Sequence, residues 1–445
     1  MRLKEELGPV ESQVNKLEIW SWAFYDFANS AFATSVSAVI FNVYFVQRVV
    51  GPEGAEVFGL RLTGTALWSF AVSCSMLVVL ISAPLLGAVA DLSAGKKRFL
   101  FLFCYGGVVS TFLLYWSGPG AIWWATFFYI LANIGMEGSL PFYDAFLLDL
   151  APREKMGRLS GLGWAAGYVG GVLCLILNLA MIQQPESFAL SPDNDVPIRA
   201  SLVVVALWWG LFAVPIFLFV RERTVTTQNE QKTSYLRTGF RRLIKTLRNV
   251  RQYPQLTRFL IAYLLYNDGI QTVIVMAAVF GATDLNMGTN ELILCLIFIQ
   301  IVAFLGALLF GLLADRIANK ISIQITLVVW IGAVTYAYFI TESWQFWILG
   351  GFVGLVLGGS QSASRSLFGQ FTPYQNSAEF FGFFATTQKS SSVLGPAVFG
   401  LAVALTGTTR YAIVSIGIFF VLGLLVLQLV DEEEGIRESQ LAIEV

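Results

Sequence analysis

Six ionisable side chains stand inside otherwise apolar stretches of this sequence: Asp26, Glu137, Asp144, Asp268, Arg365 and Lys389. A charge at the centre of a bilayer costs about 2.5–3.5 kcal/mol on insertion scales, so such groups are expected to face a protein interior or an aqueous cavity. Helical spacing groups them with polar neighbours, because residues three, four and seven apart share a helix face. Trp22, Asp26, Asn29 and Ala33 form one such face, and Asn133, Glu137 and Asp144 another. Asp268 clusters with Gln271 and Thr272, and Gln361 stands four residues before Arg365. The N-terminal part therefore offers three carboxylates, and the C-terminal part offers Asp268 with two cations. That asymmetry suits a zwitterion, its ammonium toward Asp26 or Glu137 and its carboxylate toward Lys389. The competing expectation is that Asp268 and Lys389 neutralise each other within their own part. Since histidine is absent, the side chain expected to carry a proton is a desolvated carboxylate, first Glu137 and then Asp26.

The same absence removes other chemistry. Without histidine there is no Ser-His-Asp triad, histidine metal site or histidine relay. Cys74, Cys104, Cys174 and Cys295 lie far apart in apolar runs and read as small packing residues rather than a disulfide or zinc framework. No Gly-Lys-Ser/Thr follows any glycine cluster, so no phosphate loop is expected. A formal net charge of −1 argues against a nucleic-acid partner. No enzyme activity, metal or cofactor is expected.

The elements that hold these residues must be membrane helices. Of the 445 residues 56% are hydrophobic and 13% charged, and mean hydropathy is +0.69. A soluble chain averages about 25% charged residues. Apolar runs long enough to span a bilayer recur at 20–46, 64–90, 99–117, 121–148, 159–182, 199–220, 258–281, 290–314, 321–340, 344–369, 379–406 and 409–430. The polar first segment, 1–19, reads as a cytoplasmic tail and not a secretory signal. Residues 20–220 and 258–430 form two six-helix bundles, 221–257 a central cytoplasmic loop and 431–445 a cytoplasmic tail. Lys96, Lys97, Arg98, Arg153, Lys155, Arg158, Arg316, Lys320 and, in the central loop, Arg221, Arg223, Arg237, Arg241, Arg242, Lys245, Arg248 and Arg251 fall on one side; Arg48, Arg61, Arg199 and Arg410 fall on the other. The positive-inside rule then places both termini in the cytoplasm. Phe240, Leu243, Ile244, Leu247 and Val250 recur at helical spacing among basic residues, the pattern of an amphipathic helix on the inner leaflet. Trp123, Trp124, Trp208, Trp209, Trp344 and Trp347, near outer span ends, read as an aromatic belt.

The two halves repeat each other. Gly87-Ala-Val-Ala-Asp91, followed by Gly95-Lys96-Lys97-Arg98, returns as Gly311-Leu-Leu-Ala-Asp315-Arg316 with Asn319-Lys320, 224 residues later. Gly138-Ser139, Pro152 and Gly161 return as Gly359-Ser360, Pro373 and Gly382 at an offset of 221. Collinear matches at nearly constant offset indicate a parallel repeat, as in alternating-access carriers. The Gly-x-x-x-Asp loop with its basic cluster resembles the signature loop of the major facilitator superfamily, although Leu92 and Ala318 depart from the usual residues. Trp22-Ala-Phe-Tyr-Asp26-Phe-Ala-Asn29-Ser30-Ala-Phe32, Tyr266-Asn267-Asp268-Gly269, Ser364-Arg365-Ser366-Leu367-Phe368 and Ala378-Glu379-Phe380-Phe381-Gly382 resemble its vacuole-effluxer, autophagy-related branch.

The resemblance implies an all-α integral membrane protein with twelve transmembrane helices in two pseudo-symmetric halves, the major facilitator fold. It implies a cavity lined by spans one, four, seven and ten. Asp26, Asn29, Glu137, Asp268, Gln271, Gln361 and Lys389 are then the candidates for solute binding or coupling. Asp91, Asp144, Asp315, Arg316 and Arg365 are candidates for an inner gate. The expected activity is secondary export of an amino acid or similar metabolite, with protons a possible coupling partner, by a monomer in a lipid bilayer. Drugs, lipids and other metabolites stay open as cargo, as does a receptor or scaffold on the same fold. The expected site is a bacterial inner membrane, or a vacuolar one in a eukaryote.

Overall fold

The computed structural model describes residues 15–57, 59–223, 238–240, 244, 252–391 and 394–441, with Thr289 described by its backbone alone. The first helix, α1 (Lys16–Val50), opens on a capping box, Asn15 accepting from Leu17 N–H and Glu18 from Asn15 N–H. It passes through π-helical turns at Phe32–Val39 and Phe45–Val50. There follow α2 (Gly64–Ser93), α3 (Lys96–Trp116), α4 (Ile122–Ala145), α5 (Met156–Gln183) and α6 (Asp193–Phe219). The second set is α7 (Pro254–Asp284), α8 (Thr289–Ile317), α9 (Asn319–Phe339), α10 (Ser343–Phe371), α11 (Tyr374–Thr406) and α12 (Thr409–Gln428). Eleven of the described helices are long and apolar enough to cross a membrane. The twelfth is α4, whose 24 residues include Asn133 and Glu137. A hairpin of β1 (Ala55–Val57) and β2 (Leu60–Leu62) joins α1 to α2. The apolar side chains of Phe70, Leu77, Ile81, Leu211, Leu309 and Leu425 are exposed, as befits helices solvated by lipid.

The repeat is visible in the packing. Gly382 of α11 lies so close to α2 that an added Cβ would meet the Ala83 carbonyl oxygen at 2.7 Å. Its counterpart, Gly161 of α5, lies as close to α8, with the Ala307 carbonyl oxygen at 2.5 Å from such a Cβ. These two seams join N-terminal to C-terminal helices, and both run into the signature loops through Gly87 and Gly311. Backbones approach this closely only where the side chain is hydrogen.

The helix ends that carry Lys96, Arg153, Arg158, Arg316 and Lys320 form one basic face. Glu222 accepts the Lys96 and Lys97 N–H groups at the start of α3, at 2.9 and 3.3 Å. Glu432 does the same for Asn319 and Lys320 at the start of α9, at 3.0 and 2.9 Å. The segment expected as a cytoplasmic C-terminal tail folds over Glu432–Leu441 into α13, which packs on this face. Of the amphipathic central helix, Phe240 and Ile244 are helical, with Gly239 against Val89 of α2. Leu243, Leu247 and Val250 lie outside the described residues. Of the tryptophans expected in an aromatic belt, Trp123, Trp124 and Trp344 are exposed and Trp208 and Trp347 half-buried, whereas Trp209 is buried in a slot opened by Gly107. All four cysteines are free thiols.

Candidate functional site: ion pairs between the halves

Arg365, near the basic-face end of α10, is 3% exposed and crosses to the N-terminal half. Its Nη1 donates to Asp26 of α1 at 3.1 Å and to Asp144 of α4 at 3.0 Å. Nε and Nη2 donate to the hydroxyl and carbonyl of Ser160, at the start of α5, at 3.0 and 2.8 Å. Trp22, Tyr143 and Trp164 surround the guanidinium, with ring centroids 5.1, 5.7 and 5.2 Å away. The Tyr143 hydroxyl donates to Asp26 at 2.8 Å, and Trp22 Nε1 donates to the Tyr143 carbonyl at 3.0 Å. Space for this comes from Gly163, where a Cβ would stand 2.7 Å from Arg365 Nη2 and 2.9 Å from Asp26 Oδ2. A charge buried this deeply is tolerated only when paired and fully hydrogen-bonded.

Two helical turns further along α4, about 10 Å at the usual rise, a second pair spans the halves. Lys389 Nζ of α11 lies 2.7 Å from Glu137 Oε2. Pro141 sits four residues after Glu137 and withdraws the N–H that would bind its carbonyl, which marks α4 with a local break in the ladder. The expected Asp268–Lys389 neutralisation is absent. Asp268 instead accepts the Gly395 N–H at 2.9 Å, in the part of α11 described over Leu394–Thr406. Its neighbour Asn267 donates to the Gln388 carbonyl at 3.4 Å and to the Ser391 hydroxyl. Thus α7 is bonded to α11 on either side of Lys389.

Nearer the basic face, Asp91 and Asp315 reach across the seams in opposite directions. Asp91 of α2 accepts the Ala378 and Glu379 N–H groups at 3.1 and 2.9 Å, capping the first part of α11. Asp315 of α8 accepts the Arg158 N–H at 3.2 Å, on α5. Each carboxylate sits at the positive end of a helix in the other half. Arg316 is exposed beside Asp315 and is not drawn into this contact.

Other expected residues scatter. Gln361 accepts from Tyr168 of α5, again between the halves. Asn29 is 1% exposed and its Nδ2 has no acceptor among the described residues. Asn133 turns away to donate to Ser75 of α2 at 2.8 Å. Gln271 is partly buried, and Thr272 donates to the Asp268 carbonyl at 2.7 Å. Sequence reasoning missed Ser160, Trp164 and Tyr143 around Arg365. It also counted Lys96 as an orienting surface charge. Lys96 is 2% exposed, bound to Asp149 at 2.9 Å and to Ser377 at 3.3 Å, with Tyr374 donating to the same Asp149 at 2.5 Å. At the 224-residue offset the repeat sets Lys320 opposite Lys96, so it gave no sign that Lys96 is buried. Among the described residues no His, Cys, Asp or Glu group of three or more is placed to hold a metal.

Ion pairs stacked along the seam of two six-helix halves are accompanied by a match along almost the whole chain. A family model described as "Vacuole effluxer Atg22 like" matches residues 14–157 and 149–440. The chain belongs to the Atg22-like vacuole effluxer family. It is 32% identical to the MFS-type transporter YxiO of Bacillus subtilis, over 94% of this chain and 96% of that one. It is 27% identical to Autophagy-related protein 22 of Kluyveromyces lactis, over 96% and 95%. The fold is that of the proton:xylose symporter XylE bound to 6-bromo-6-deoxy-D-glucose, with TM-score 0.72 at 13% identity, covering 96% of this chain and 98% of that one. This Atg22-like chain is thus an integral membrane protein of the major facilitator superfamily and a secondary transporter.

Proposed function

We propose that this Atg22-like protein exports an amino acid or similar zwitterion by alternating access, coupled to protons. The observation that carries the reading is the Glu137–Lys389 pair, an acid and a base 2.7 Å apart, one from each half. A zwitterion replaces each partner with the other's charge, its ammonium on Glu137 and its carboxylate on Lys389. The pair therefore opens without leaving a bare buried charge, which is the costly outcome. Coupling belongs to the neighbouring cluster. Glu137 and Lys389 cancel, whereas Asp26 and Asp144 share the single cation Arg365, so the surplus negative charge there is where a proton binds. Asp91 and Asp315 hold the basic face shut. The positive-inside rule puts that face in the cytoplasm, in a bacterial inner membrane, and the protein acts as a monomer.

Binding of alanine, alanine methyl ester and N-acetylalanine to the purified protein tests the central step. Only alanine carries both charges, so it is expected to bind at least about tenfold tighter than either analogue, which is about 1.4 kcal/mol. Lys389→Gln is expected to abolish its advantage over the ester. Equal binding of all three, or an unchanged preference in Lys389→Gln, contradicts the reading.

A further inference from the structure

Among the described residues, the hydrogen-bond and ring partners of the Arg365 guanidinium come from the N-terminal half: Asp26 and Trp22 on α1, Tyr143 and Asp144 on α4, Ser160 and Trp164 on α5. From the other half come the guanidinium and the Ser362 carbonyl of α10, which accepts from the Ser160 hydroxyl at 2.8 Å. Asp26, Trp22 and Tyr143 also hold one another in place without Arg365. Tyr143 is bonded to Asp26, Trp22 is bonded to the Tyr143 carbonyl, and the Trp22 and Tyr143 rings stack at 4.7 Å with 10° between their planes. The hydrogen of Gly163 leaves the volume that the guanidinium fills. Trp164 Nε1 is buried in this wall with no acceptor among the described residues. Two carboxylates and three aromatic faces are the chemistry that recognises an organic cation.

We infer that this box is a binding site for a small guanidinium or primary ammonium cation, and that Arg365 is a tethered occupant of it while the basic face is closed. The inference rests on the alternating-access reading, in which the halves part at this face. When they part, Arg365 withdraws with α10 and two carboxylates lose their counter-charge. A cation from that side then binds the preformed walls. Because it and Arg365 cannot occupy the box together, its binding favours the state with this face open, by linkage. The box thus senses or loads cationic solutes at the inner mouth, separately from the Glu137–Lys389 region two turns away.

The test uses the full-length protein in detergent and ethylguanidinium chloride at millimolar concentration as probe, with isosteric neutral ethylurea as control. Arg365→Ala vacates the box without requiring the halves to move, so the result does not depend on transport or on the solute carried. Calorimetry is expected to show Arg365→Ala binding ethylguanidinium at least about tenfold tighter than the unsubstituted protein. Adding Asp26→Asn or Trp164→Leu is expected to reverse the gain, and ethylurea is expected not to bind. If Arg365→Ala does not purify in a folded state, Arg365→Ala/Asp144→Asn removes the surplus charge and is read by the same comparison. Affinity no higher in the vacated protein, or a gain that survives Asp26→Asn and Trp164→Leu, overturns the inference. The zwitterion reading stands or falls on Lys389 and is untouched by either result.

Discussion

Replacing Arg365 by alanine leaves Asp26 and Asp144 buried with no cation between them, the situation that costs most when an ion pair is broken. The expected loss is about 3–5 kcal/mol, seen as a lower midpoint of thermal unfolding in detergent. Asp144→Asn keeps the Arg365–Asp26 contact and removes the surplus charge, so it is expected to be far milder. Its effect is expected in coupling, as uptake that no longer responds to an imposed pH gradient. At this scale the sequence was half legible. That six charges in apolar stretches must face inward followed from the cost of burying them. Which charge meets which did not follow, because helical spacing fixes a face but not the neighbouring helix. Asp268 and Lys389 looked like partners, yet Asp268 is spent on a backbone N–H and Lys389 crosses to Glu137.

Among the elements, the seams are the sensitive parts. Gly161→Leu and Gly382→Leu each drive a side chain into a carbonyl of the opposing half, Ala307 or Ala83. Both are expected to force the seams apart and expose the basic face, read as faster maleimide labelling of a cysteine introduced at Ser160. Slower or unchanged labelling contradicts this packing. Asp91→Asn and Asp315→Asn weaken the caps on α11 and α5 and are expected to shift labelling the same way, each by about 0.3–2 kcal/mol of closing energy. The helices were legible from their apolar runs, and the repeat paired Asp91 with Asp315 without showing that each caps a helix of the other half. The bonding of α11 to Asn267 and Asp268 of α7 was not legible, because spacing within one helix does not name the neighbouring helix.

For the whole molecule, the basic face is closed by more than the signature loops. Arg153, between α4 and α5, donates to the Ile436 carbonyl at 3.0 Å and the Ser439 hydroxyl at 2.5 Å, while Ser439 donates to the Gln370 carbonyl at 3.1 Å. Thus α13 is tied to both halves. Removal of residues 431–445 is expected to favour the open state of this face and raise labelling at position 160, with the fold retained; loss of folding or unchanged labelling contradicts that role. Composition revealed the membrane and the internal offset revealed two halves, but the polarity of the last segment did not reveal that it docks as a helix. The measurement that tests the account most directly is uptake of labelled amino acids into proteoliposomes, with and without a pH gradient. Uptake of zwitterionic amino acids is expected to rise with the gradient, to fall in Glu137→Gln and Lys389→Gln, and to ignore the gradient in Asp144→Asn. Folded, inserted protein that moves no amino acid under any gradient would contradict it.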